Sequence, residues 1–250
     1  MRIISLVICP LVFAFVFVAC GANSSAPGAL APNSADVSQL DTTNSIGGNL
    51  LVDERDGQTY RIVTIGELTW MAQNLNYAMD SSWCYANDPA NCAVYGRFYE
   101  WKAANMACPS GWHLPYFEDW EKLLFNDVGS YDAIFTGMDL MLMNQIAASL
   151  RSTTGWVDGD NGTDSYGFSA LPAGLQIFDG SFINNGSEAY FWSATFHGAG
   201  QFFDGERMVD DIAIKYFVFK ASYSEEEEGV AATSYWRQSN MHLNVRCVRD

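Results

Sequence analysis

Two cysteines far apart in the chain limit its fold more than any other feature. Cys108 opens the block Cys108-Pro-Ser-Gly-Trp-His-Leu-Pro115, and Cys247 lies in Val245-Arg-Cys-Val-Arg-Asp250. The first block reads as a turn and a short apolar strand between two amphipathic helical segments. The second reads as the end of a closing strand. A bond between these thiols would bring the first helices against the last strand and clamp the ends of one domain. In the chain-entropy description such a closure contributes roughly 4–5 kcal/mol.

Whether thiols pair depends on the compartment, and the N-terminus bears on that. Met1-Arg2 is followed by an apolar run from Ile3 to Val18 and then by Ala19-Cys20-Gly21. One positive charge, an apolar core and a small residue make a secretory signal. The run is near the lower limit for a spanning helix, and Pro10 interrupts it. Phe17-Val18-Ala19-Cys20 resembles a bacterial lipobox, with Phe17 where Leu is usual, so Cys20 is expected to carry lipid. Gly21 rather than Asp after it implies outer-membrane sorting in a Gram-negative envelope. Residues 1–19 are therefore read as a signal peptide. Removing Cys9 and lipidating Cys20 leaves Cys84, Cys92, Cys108 and Cys247, an even set in an oxidising compartment. Three pairings are open, and the favoured one joins Cys84 to Cys92 and Cys108 to Cys247. No Cys-x-x-Cys spacing suggests a metal instead.

Residues 21–48 hold no aromatic residue, Lys or Arg, and are rich in Ala, Ser, Asn, Gly and Pro. Such a stretch buries too little apolar area to offset its conformational entropy. Residues 20–48 are read as a lipid-anchored tether with a coil span of roughly 30 Å. Residues 49–250 are read as one domain, since a 49% hydrophobic chain with 8 Trp, 12 Tyr and 16 Phe can build a core. A formal net charge of −16 disfavours nucleic acid and anionic headgroups as partners.

Gln58–Ile65 alternates β-branched residues, Gly66-Glu67 turns, and Leu68–Ala72 returns, which predicts a hairpin. Asn74–Val94 reads as a loop. Arg97–Ala107 reads as a helix, with Phe98 and Trp101 at helical spacing and Pro109 as its stop. Trp112–Leu114 is a short strand. A second helix buries Phe117, Trp120, Leu123, Leu124 and Val128. A third, Leu140–Leu150, buries Met141, Ile146 and Leu150. Strands are expected near Ala189–Thr195 and Ile212–Ala221, and His242–Val248 as a single closing strand. Long loops are expected over 156–210 and 222–240, with Glu225–Glu228 a solvated charge run.

A series of blocks resembles the Fibrobacter succinogenes major paralogous domain family. They are Asp56–Tyr60, Thr69–Tyr77, Trp83–Tyr85, Tyr95–Arg97, Cys108–Pro115, Asn161–Asp164, Tyr166–Gly174, Trp192–Thr195 and Val245–Val248. The resemblance runs from about residue 53 to 250 and implies exported lipoproteins without a defined activity. The layout also resembles C-type lectin-like domains, and Trp112-His-Leu-Pro115 with Trp120-Glu121 resembles a block of formylglycine-generating-enzyme-like domains of the same fold. These likenesses imply an α+β, C-type lectin-like domain: mixed small antiparallel sheets, two or three helices, long loops and two disulfides. The calcium-and-sugar tripeptides of sugar-binding C-type lectins are absent, and residues 204–235 look like an insertion.

Candidate chemistry is sparse. The paired cysteines leave no thiol for catalysis. His113, inside the structural block, is expected in the core or on backbone. His197 is expected in a loop and has no evident Ser or Cys partner. Asp158, Asp160, Asn161 and Asp164 offer hard oxygens that calcium accepts. Gly162 and Ser169 stand where an EF-hand has ligands, so an Asx-rich turn explains the same residues. Trp83, in a loop beside a cysteine, and Trp236, ending the insertion, are the candidates for ligand stacking. The expected function is a non-catalytic binding or structural domain on an exported lipoprotein at the outer membrane or cell surface. Its membrane partner is reached through the N-terminal lipid, and its ligand is a glycan or a surface protein. The alternatives are an envelope enzyme acting on polysaccharide and a purely structural or adhesion component.

Overall fold

The opening hairpin forms where the alternation puts it. In the computed structural model, which describes residues 49–125, 140–203, 208–220, 231–237 and 241–250, β1 (Leu50–Val52) pairs with β2 (Thr59–Ile65) and β2 with β3 (Leu68–Met71). All described residues fall in the unit Thr43–Asp250. The Asp53–Gln58 turn is held by Arg55, which salt-bridges the buried Asp53 at 2.6 Å and donates to the carbonyl of Ala107 at 2.7 Å. The first turn is thus fastened to the segment that ends in Cys108.

Asn74–Val94, expected as a loop, carries the short β4 (Ser82–Trp83), a 3-10 turn at Tyr85–Asn87, and α1 (Pro89–Tyr95). The Asp88 carboxylate accepts the Ala90 N–H and Pro89 takes the first helical position, a start signal legible in the sequence. The helix expected over Arg97–Ala107 is also corrected. Phe98–Tyr99 form β5, and the helix α2 is confined to Trp101–Ala104. Both β5 side chains are wholly buried and paired across a sheet, so tertiary pairing outweighs local helical spacing.

β6 (Trp112–His113), α3 (Phe117–Phe125) and α4 (Leu140–Leu150) stand where the sequence predicts. Trp120, Leu123, Leu124 and Phe125 of α3 are buried, as are Ala147 and Leu150 of α4. Val128 and the side chain of Met141 lie outside the described residues. The remaining strands are β7 (Leu175–Ile177), β8 (Phe182–Ile183), β9 (Glu188–Phe203), β10 (Met208–Lys220), β11 (Ala231–Arg237), β12 (Met241–Asn244) and β13 (Val248–Arg249). Residues 188–203, 208–210 and 231–237, within the regions expected as long loops, are therefore sheet. β9 pairs with β10 from Glu188 opposite Lys220 to Phe203 opposite Met208, and β11 continues on β10. Gly198 and Gly200 interrupt the alternation, which is why the strand looked shorter. The Glu225–Glu228 run lies outside the described residues.

One sheet has the order β1-β2-β3-β13-β6. The other runs β11-β10-β9-β12-β5-β4, with β7 on β12 and β8 on β7. All described strand pairs are antiparallel except β9 with β12. The expected closing strand is thus two strands in two sheets, joined by the buried crossover Val245-Arg246-Cys247. A core around Trp70, Trp120, Phe168, Phe191 and Phe217 packs α3 and α4 on the sheets, with Trp120 stacked on Phe217 at 5.0 Å. A second core gathers Tyr99, Trp112, Trp192, Leu243 and Cys247. Each such side chain contributes about 1.5–3 kcal/mol on burial. The fold class is α+β. The disulfides Cys84–Cys92 and Cys108–Cys247 are both formed.

Candidate functional site

The crossover carries a charge into the interior. Arg246 is completely buried. Its Nε donates to Asn74 Oδ1 at 2.7 Å, and its two terminal nitrogens donate to the carbonyls of Met71 (3.2 Å), Phe168 and Ser169 (2.8 Å). The rings of Phe168 and Phe191 lie 4.6 and 5.5 Å from its guanidinium carbon. None of its described hydrogen bonds reaches a carboxylate. Burial pushes its pKa down to about 9, Arg61 pushes the same way, and Asp164 opposes both. A cation without a counter-ion is costly inside a protein, and here the donors are satisfied by fixed backbone dipoles. Segments around Met71, Asn74, Phe168 and Arg246, remote in sequence, converge on this guanidinium.

Over this hub opens a cleft of about 340 Å³. Its polar wall comes from β2 and the segment after β3: Gln58, Tyr60, Arg61, Gln73, Asn74 and Asn76. Ala93 and Val94 of α1, with Leu171, give it an apolar side. Its shape depends on Gly96, which ends α1 at φ 69°, where a Cβ would meet Asn74 Cβ at 2.6 Å. Asn74 Nδ2 donates to the Tyr95 carbonyl at 2.8 Å and locks the same contact. Gln58 and Asn76 hydrogen-bond to each other at 2.9 Å. The Tyr60 hydroxyl accepts the Asn76 N–H at 3.1 Å, and burial pushes its pKa up to about 12. Among the described residues lining the cleft there is no Asp, Glu or His, and Cys92 is disulfide-bonded. The arrangement can hydrogen-bond hydroxyls, amides and anions.

The sequence-derived candidates lie elsewhere. Trp83 is on β4, half-buried, with its ring stacked on His242 at 4.1 Å. His242 Nδ1 lies 2.9 Å from Gln176 Oε1, and burial lowers its pKa against the opposing charge of Glu100. Trp236 is on β11 opposite Ile214, and its side chain lies outside the described residues. Asn161 Oδ1 accepts the Trp156 N–H at 3.1 Å, and the Asp164 carboxylate accepts the Ser169 N–H at 2.6 Å. These two side chains therefore close their own turns. Asp160 acts electrostatically on Arg151, and the Asp158 side chain lies outside the described residues. No group of three or more His, Cys, Asp or Glu that could hold a metal occurs among the described residues.

His113 differs from expectation. Its Nδ1 lies 2.6 Å from Asp250 and its Nε2 3.3 Å from Asp119, because β13 pairs beside β6 and brings Asp250 alongside. His197 lies on β9, not in a loop. Cys20 lies outside the described residues, among which no helix is long and apolar enough to cross a membrane. Sequence reasoning missed Arg61, Gln73, Asn76 and Arg246. Only Arg246 left a signal, a charge within the apolar run Val-Arg-Cys-Val.

Two sheets linked by a buried crossover and closed by a long-range disulfide define an α+β domain with a polar cleft. The family model of the Fibrobacter succinogenes major domain matches residues 63–249, well over half of the chain. The protein belongs to that family. No curated protein and no solved structure matches the chain.

Proposed function

We propose that the chain is a cell-envelope lipoprotein whose domain is a non-catalytic, C-type lectin-like recognition module. Cys20 would carry the lipid, and residues 20–48 would hold the module off an outer-membrane or cell-surface leaflet. The ligand is a glycan or a surface protein. The observation that carries this reading is the cleft beside α1. Amides, a guanidinium and a small apolar wall suit hydroxyl-rich or peptide ligands. A lectin-like assignment draws support from the order of elements: a cysteine after the first short helices, an apolar strand, a longer helix, and a cysteine between the last two strands.

The test is retention of the purified full chain on immobilised glycans and on envelope protein fractions, with calcium and with chelator. Retention without change to the ligand is expected. Absence of retention on every surface would sink the recognition reading, and turnover of a polysaccharide would replace it with the enzymatic one. Loss of retention in chelator would assign calcium a role.

A further inference from the structure

Arg61 is the one cation among the described residues lining the cleft, and it is exposed. Its Nη2 makes two long contacts at 3.3 Å, to the Ala72 carbonyl and the Ser169 hydroxyl. Its Nε and Nη1 make no described hydrogen bond, so each of these nitrogens has N–H to give, Nη1 on the side of the guanidinium that Nη2 leaves free. Beside it, Gln73 Oε1 accepts the Arg61 backbone N–H at 2.7 Å. That fixes the Gln73 side chain and leaves its amide N–H groups without a described partner. Asn76 gives its amide hydrogens to Gln58, while its Oδ1 has no described donor.

Behind this wall lies the buried charge of Arg246, held by Asn74, itself a lining residue. The two guanidiniums are close enough for Arg61 to depress the pKa of Arg246. The carboxylate that opposes this, Asp164, already accepts the Ser169 N–H and hydroxyl. The Asp56 carboxylate likewise accepts from the lining Gln58, so Arg61 is the exposed positive group in a cleft whose nearby carboxylates are engaged, on a chain of net charge −16. That background repels extended polyanions and leaves room for an isolated negative group. The exposed Val94 and the neighbouring Leu171 add an apolar surface of the kind a sugar ring covers.

We infer that this cleft is a carboxylate subsite for an acidic saccharide. Nη1 of Arg61 donates to the carboxylate as a charge-assisted hydrogen bond. The amide N–H of Gln73 and Oδ1 of Asn76 engage neighbouring hydroxyls. The inference rests on the recognition reading above and narrows its ligand to a sugar carrying an acid.

The experiment compares a galacturonic acid trisaccharide with its fully methyl-esterified form, against the full chain and its Arg61→Gln, Arg61→Lys and Gln73→Ala variants. Binding is measured by calorimetry, and folding by melting temperature. Inorganic sulfate and phosphate are run as competitors. The acid is expected to bind the wild type about tenfold to a hundredfold more tightly than either the ester or Arg61→Gln binds it. Arg61→Lys, which keeps the charge without the fork, falls between. Affinity of the wild type for the acid falls with salt, and that of Arg61→Gln does not. Equal binding of acid and ester, or of wild type and folded Arg61→Gln, overturns the inference and leaves recognition standing. Displacement by sulfate or phosphate at concentrations near those of the saccharide overturns the saccharide assignment in favour of a simple anion site. Retention of neutral glycans or proteins alone overturns the inference, and retention of nothing overturns both readings.

Discussion

The two disulfides are built from the same bond and do different things. Cys108–Cys247 spans 139 positions, joins the turn after α2 to the crossover, and buries Cys247 completely. Cys84–Cys92 spans 8 positions and ties β4 to α1. Arg97 leans on both of its sulfurs, at 3.4 and 3.5 Å, and Cys92 lines the cleft. The long bond belongs to the meeting of the two sheets. The short bond belongs to the wall of the cleft. Sequence separation, which sets the entropy each removes from the unfolded chain, thus also divides scaffold from site.

Breaking the long bond is the most severe test of that division. Cys108→Ala/Cys247→Ala is expected to lose about 5 kcal/mol of stability by the loop-closure relation, measured by urea unfolding without reductant. A loss no larger than that of the short bond would abolish the distinction. Arg246→Met asks whether the crossover holds without its charge. Four oxygens, of Asn74, Met71, Phe168 and Ser169, lose their donor, and the expected cost is about 3–5 kcal/mol with both disulfides intact. Cys84→Ala/Cys92→Ala comes next, at about 2–3 kcal/mol. Its larger signature is lost affinity at the cleft, read by the same calorimetric titration.

The smallest effect is a pH dependence on the cleft side. Tyr60 has a pKa of about 12 in the fold, raised by burial above its ordinary value near 10. Its contribution is whole below pH 10 and is lost between about pH 10 and 12, where the unfolded chain gives up the proton first. Arg246, with its folded pKa lowered to about 9, acts in the opposite direction above that pH. The measurement is therefore a difference. Urea midpoints of Tyr60→Phe should fall less steeply than wild type over that window, and parallel curves would remove Tyr60 from the account.

The scaffold was more legible in the sequence than the cleft. Alternation between Thr59 and Met71 marks a hairpin, and Trp120, Leu123 and Leu124 mark a buried helical face, because both signals are local. An even set of cysteines within residues 49–250 marks the clamp. Phe98 and Trp101 carry the same spacing as a helix, yet Phe98 pairs with Asn244 from the far end of the chain. No local pattern encodes that partner. Gln73 and Asn76 are polar residues on a short segment, unremarkable until Gly96 brings α1 against them. A binding wall assembled from separate segments has no spacing to detect. The acidic turn at 158–164 shows the converse, a pattern that looked like a ligand set and whose Asn161 and Asp164 fasten their own loop.

The strands that complete both sheets are made after the strands they join. β13 lies between β3 and β6, and β12 lies between β9 and β5. As the ribosome extends the chain, each sheet lacks an interior strand until residues 241–249 emerge. Neither the hairpin at the start nor the long β9–β10 pair can close on a finished core before then. A nascent chain with this topology stays open until residues 241–249 have been made, the state a translocation channel accepts. For a protein exported in the way proposed here, strand order would act as a timer, holding back folding until β12 and β13 emerge.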